Sequence, residues 1–262
     1  DRLRSRGLGD VYKRQDYIRH LGEKPRYIHT GLSKLDENLH LVPGNYFVIG
    51  GRPSAGKTAL SLQFAAGMAK QGKRVCYFSL ETDPATLQAR LIANQLYAPL
   101  SAVKNKTLSI NELDRLADMK RWPLYIRSAA GKGVAWIKAQ ALRMKADIIF
   151  VDYLQLIHER GSSDRYNAIT EISIALHELA QTTGILVVAL AQLNRNAARA
   201  EPSNADLRES GQIEQDADAI LLLSADGDTY FSRLTKNKEG RVGNAGLEFD
   251  KMTQHFTCGT AN

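Results

Sequence analysis

Eight consecutive residues have the types and spacing to bind phosphate. Gly51-Arg52-Pro53-Ser54-Ala55-Gly56-Lys57-Thr58 fits the pattern G-x-x-x-x-G-K-[ST] at every fixed position. Glycines let the backbone curl until its N–H groups point at an anion. A helix starting directly afterwards adds the positive end of its dipole. Lys57 then has the reach for β- and γ-phosphates, and the Thr58 hydroxyl suits a Mg²⁺ ion beside them. The candidate cofactor-binding segment runs from Gly51 through Ala59. The plain alternative is a glycine-rich turn with an exposed lysine.

Three more residues gain meaning from that segment. Asp152 ends the apolar run IIFVD and is placed to share the metal with Thr58. Many buried strands end in aspartate, so the run alone decides little. Glu81 closes VCYFSLE, 24 residues after Lys57. A lone carboxylate delivered beside the nucleotide can polarise an attacking water; a solvated residue at a helix entry fits it equally. Gln192 follows ILVVALA, where an amide can sense the γ-phosphate or simply cap a strand. Other chemistries fail on spacing. His177-Glu178 begins H-E-x-x-H, but Gln181 occupies the second histidine position. There is no G-x-S-x-G elbow, and the glycines do not form G-x-G-x-x-G.

Such side chains need a scaffold. Apolar runs that read as strands alternate with helix-period stretches: strands at 46–51, 74–80, 124–128, 147–154, 185–191 and 219–224, and helices at 57–70, 84–97, 111–119, 134–145 and 165–183. Alternating strand and helix units predict a parallel sheet with helices on both faces. After Asp226-Gly227 only strands follow, 229–236 and 244–250, which predicts hairpins added at one edge. The stretch 192–215 is long, polar and irregular, the kind of loop that usually carries function.

Composition sets wider limits. The chain has 262 residues, 44% of them apolar and 24% charged. That excludes disordered, collagen-like and coiled-coil classes. No apolar run reaches the roughly 18 residues of a membrane helix. Two cysteines 182 positions apart fit a reducing compartment, so a cytoplasmic location is expected. Cys76 lies in an apolar run and reads as a core residue. Net charge is +7, which suits a polyanionic partner, but residues 1–15 contribute five Lys/Arg against two Asp. Those fifteen residues resemble translated adapter sequence. They are expected to be a non-native leader, residues 16–26 a remnant linker, and residues 27–262 one motor domain.

The segments GGRPSAGKTALSLQFA, YFSLE, IIFVDYLQL, ALAQLNR and DLRESGQIEQDADAILLL resemble, in order and spacing, the C-terminal motor domain of DnaB-type replicative helicases. The similarity runs from about Thr30 to Phe256, and DLRESGQIEQDAD is its most discriminating piece. The resemblance implies a RecA-like α/β phosphate-loop NTPase, with a mainly parallel central sheet flanked by helices and antiparallel C-terminal edge strands. It implies ATP and Mg²⁺ as cofactors and 5′→3′ translocation on single-stranded DNA. Partners would be further copies in a hexameric ring and, in a full-length form, primase or a helicase loader. By the same resemblance Lys57 and Thr58 bind phosphate and metal, Glu81 is the catalytic base, Asp152 a metal carboxylate and Gln192 the γ-phosphate sensor.

Arg208, Glu209 and Gly211 match positions that touch the DNA backbone; the plainer alternative is that Arg208 and Glu209 pair with each other on the surface. Arg160–Arg165 matches a second DNA-facing loop. The segment Lys236-Asn237-Lys238-Glu239-Gly240 stands where relatives carry K-x-R-x-G, reaching into a neighbour's nucleotide site. Lys236 is thus a nucleotide contact, and Lys238 replaces the arginine finger, keeping its charge without the bidentate fork. The family's helical N-terminal domain has no counterpart here, which leads us to expect a truncated gene product. Two other functions remain open on sequence: a RecA-like DNA-dependent ATPase of recombination or repair that does not unwind, and a low-turnover nucleotide-binding regulatory module.

Overall fold

A computed structural model describes residues 27–158, 165–193, 204, 211–226 and 229–259. The strands are β1 Tyr46–Gly51, β2 Val75–Ser79, β3 Leu124–Ser128, β4 Ile148–Asp152, β5 Leu186–Gln192, β6 Ala219–Asp226, β7 Thr229–Asn237, β8 Gly243–Asp250 and β9 His255–Cys258. They form one sheet in the order β3-β2-β4-β5-β1-β6-β7-β8-β9. The pairs from β3 across to β6 are parallel, and those from β6 to β9 antiparallel. The expected fold class is what the chain adopts.

The helices are α1 Ser33–Asp36, α2 Lys57–Lys70, α3 Pro84–Leu96, α4 Leu100–Asn105, α5 Ile110–Met119, α6 Val134–Arg143, α7 Arg165–Thr183 and α8 Gly211–Asp216. Strands β1, β2 and β4 are buried at every residue, as a sheet covered on both faces requires. Alternate side chains serve two cores. Phe47 and Ile49 of β1 join one cluster with Leu60, Phe64 and Leu87. Tyr46 and Val48 join the other with Ile137, Leu176 and Leu179. Cys76 belongs to this second core, and burial pushes its thiol up to about 11.

Local chemistry sets the ends of the elements. Pro84 opens α3, while the Asp83 side chain accepts a hydrogen bond from the Thr86 amide at 2.9 Å. Ser109 and Glu112 form a reciprocal capping box on α5. Gly184 ends α7 with φ +71°.

Several features depart from the sequence expectations, among them the expected strand 147–154, which ends at Asp152 and passes into a 3-10 turn at Leu154–Leu156. Residues 192–215 are not irregular throughout, because Gln192 is the last residue of β5 and α8 begins at Gly211. α4 escaped notice because it has six residues, none of them buried. β9 escaped because HFTC is too short to show a period.

Candidate functional site

The site forms where parallel strands end. Register places Ser79 of β2 beside Asp152 of β4, and Gly51 of β1 beside Gln192 of β5. Four neighbouring strands therefore deliver their C-terminal residues to one crevice, the usual ligand position in an open α/β sheet. The loop from β1 into α2 curls over it. Gly56 has φ +85°, and a Cβ there would sit 2.7 Å from the Phe256 ring. The position accepts glycine on both counts.

Lys57 turns back into this loop. Its Nζ donates to the Gly51 carbonyl at 2.7 Å and to the Arg52 carbonyl at 2.9 Å. Burial lowers the ammonium to about 8, although the Asp152 and Glu81 carboxylates pull it upward. Thr58 Oγ1 donates to Asp152 Oδ2 at 2.9 Å, joining the loop to the end of β4. Asp152 is 3% exposed. Burial raises its carboxyl, while the Tyr77 and Thr58 hydroxyls and the Lys57 ammonium act in the opposite direction.

A hydroxyl and a carboxylate this close are hard oxygen donors of the kind Mg²⁺ takes. No cluster of three or more His, Cys, Asp or Glu exists among the described residues. Thr58 and Asp152 fit a metal held by two protein oxygens and completed by phosphate and water.

A cavity of about 410 Å³ gathers Pro53, Ser54, Gly56, Lys57, Thr58 and Ala59 with Glu81, Asp152 and Gln192. Three further loop residues lie behind the cavity wall. Gly51 and Arg52 present carbonyls to Lys57, and Ala55 is buried in the core. Glu81 is exposed at the cavity wall, free of any strand. Lys236 and Lys238 are not among the residues lining this cavity. The Lys236 ammonium donates to the Glu214 and Gln215 carbonyls of α8, and Lys238 forms an ion pair with Asp218 at 2.7 Å. Arg208 and Glu209 lie outside the described residues, as does 159–164 of the second expected DNA-facing loop. Gly211 is the first residue of α8.

Sequence reasoning missed several contributors. Gln155 clamps the end of β5: its Oε1 accepts from the Gln192 amide at 3.1 Å and its Nε2 donates to the Gln192 carbonyl at 3.0 Å. Arg90 of α3 lines the cavity, as do Phe249 and Gln254 from the last hairpin. Nothing local in the sequence marks these residues. Only pairing between distant segments brings them in. A larger depression of about 700 Å³ lies along the β3 edge, lined by Leu91, Trp122 and Ile126, away from the phosphate loop.

Fold and site together define a RecA-like phosphate-loop nucleotide-binding domain. Residues 27–258 match the DnaB-like helicase C terminal domain, and the chain belongs to that family. It is 35% identical over 244 residues to the probable plasmid replicative DNA helicase of Chlamydia trachomatis, covering 87% of this chain and 54% of that protein. It is also 35% identical over 249 residues to the replicative DNA helicase DnaB of Treponema pallidum (strain Nichols), covering 88% of this chain and 56% of that one. The chain thus spans about half the length of these curated relatives.

Among solved structures, one described as an ATPase domain superposes with a TM-score of 0.85 at 28% identity, covering 94% of this chain and 96% of that one. A DnaB-like replicative helicase, described with its interactions with primase, superposes with a TM-score of 0.83 at 28% identity, covering 93% of this chain and 66% of that one. Among the described residues no helix is long and apolar enough to cross a membrane.

Proposed function

We propose that this chain is the motor of a replicative DNA helicase, hydrolysing ATP to move 5′→3′ along single-stranded DNA and separate a duplex. One observation carries the reading: the 2.9 Å contact from Thr58 to Asp152 joins the phosphate loop to the strand end beside Glu81, Gln192 and Lys57. Glu81 orients the attacking water and takes its proton. Lys57 leaves its loop carbonyls for phosphate oxygens and offsets the charge that develops there. Thr58 and Asp152 would hold Mg²⁺, which when bound neutralises phosphate charge. Gln192 senses the γ-phosphate. It directly precedes the segment containing Arg208 and Glu209, which with Gly211 would grip the DNA backbone. Phosphate contacts without base readout suit a motor that must ignore sequence.

Activity of this kind needs copies arranged in a ring, so that Lys238 reaches a neighbour's site. Primase or a loader would join a longer form. The Lys238–Asp218 ion pair favours one competing reading, a low-turnover nucleotide-binding module whose finger stays engaged within its own chain. Strand displacement separates the readings. With ATP, the chain should unwind a forked duplex carrying a 5′ tail, and Lys57→Ala should not. ATP turnover without displacement would instead support an ATPase of recombination or repair.

A further inference from the structure

Tyr77 is fully buried in the middle of β2, with β4 and β5 between it and the strand that feeds the phosphate loop. Its ring stacks on Phe150, with centroids 5.6 Å apart and planes 10° from parallel. Its hydroxyl lies 2.8 Å from Asp152 Oδ2 and 2.8 Å from Ser61 Oγ. Proton bookkeeping gives the first of these contacts a direction. An ionised carboxylate only accepts, so Tyr77 donates to Asp152; the Ser61 hydroxyl beside it also lies 3.0 Å from the Thr58 carbonyl, so its one proton has two acceptors within reach. The contacts therefore connect Ser61 of α2, Tyr77 of β2 and Asp152 of β4. Thr58 Oγ1 donates to the same Oδ2 at 2.9 Å. Oδ1 receives no hydrogen bond among the described residues. Two hydroxyls, one from α2 and one from β2, thus fix the same carboxylate oxygen of a residue that lines the cavity.

We propose that Tyr77 is a positioning residue for the divalent cation that accompanies the nucleotide, its Ser61-anchored hydroxyl holding Asp152 in register with Thr58. The inference rests on the ATPase reading and adds to it a residue that touches neither nucleotide nor metal. A buried tyrosine whose hydroxyl merely needed a partner would be satisfied by Ser61 alone. The second contact goes to the carboxylate that meets the phosphate-loop threonine.

Tyr77→Phe removes the hydroxyl and keeps the stacked ring. Two binding measurements are needed: ADP affinity in EDTA, and Mn²⁺ titrated into the ADP complex and followed by electron paramagnetic resonance. The expected result is unaltered ADP affinity in EDTA, with Mn²⁺ binding weakened about tenfold, the scale of one hydrogen bond to a charged group. A Mn²⁺ titration equal to that of the unmodified chain overturns the proposal. Should Tyr77→Phe also lower the melting temperature, Ser61→Ala decides. It leaves Tyr77 in place and removes its anchor, so it should weaken Mn²⁺ binding in the same direction; an unchanged titration overturns the assignment. An unmodified chain that binds no ADP at all defeats the ATPase reading and this inference together, an outcome distinct from the others.

Discussion

Lys57 sits in a site that disfavours its own charge. Burial lowers its ammonium to about 8, and only two loop carbonyls and two nearby carboxylates compensate. Phosphate supplies the missing negative charge, so the bound state should restore the proton. As pH rises through about 8, the unliganded lysine becomes neutral, and binding must then take up a proton. Nucleotide affinity is thus expected to fall with rising pH above that point. Calorimetry at about pH 8.5 in two buffers of different ionisation enthalpy should report net proton uptake. Equal heats in both buffers would show that Lys57 is already fully charged. Glu81 makes a separate claim. Glu81→Gln keeps size and polarity but cannot take a proton, so turnover should drop by about 10²- to 10⁴-fold while nucleotide affinity holds. Equal losses of both would assign Glu81 to binding.

The phosphate loop is held from behind by the last strand. Gln63 of α2 accepts from the Phe256 amide at 2.8 Å and donates to the Phe256 carbonyl at 2.8 Å. Asn94 of α3 donates to the same Gln63 oxygen at 3.0 Å and to the Gln254 carbonyl at 2.6 Å. Gln63→Ala should therefore cost about 1–3 kcal/mol in urea unfolding, because it leaves a buried amide of β9 unpaired. A change near zero would mean the hairpin is not fastened there.

This fastening also explains what could be read in advance. The phosphate loop, the strand ending in Asp152 and the helix at 165–183 were legible because their signals are local: fixed spacing, a continuous apolar run, a helical period. Tyr77 looked like one more apolar position in VCYFS, since its hydroxyl partner lies 75 residues away. Gln155, Phe249 and Gln254 reach the site only through tertiary packing. Lys236 and Lys238 were legible as a motif, yet their partners Glu214, Gln215 and Asp218 were not.

Across the whole molecule, those lysines tie the end of β7 to α8 and to Asp218 beside β1. Lys236 holds the carbonyls of α8, whose first residue closes the DLRESG segment, and Asp218 accepts from both Lys238 Nζ and the β1 amide of Tyr46. If Lys238 serves a neighbouring copy, sites are shared between chains. A mixture of Lys238→Ala and Lys57→Ala proteins should then turn over ATP faster than either alone, because each supplies what the other lacks. No recovery in the mixture would confine Lys238 to its own chain.

The central claim is that this chain is an ATP-driven, DNA-stimulated motor built from repeated copies. Steady-state ATP hydrolysis, with and without single-stranded DNA and across a series of protein concentrations, tests it most directly, with Lys57→Ala as the blank. The account predicts turnover that DNA stimulates and that rises more steeply than protein concentration. A low rate, indifferent to DNA and equal to the blank at every concentration, would contradict it.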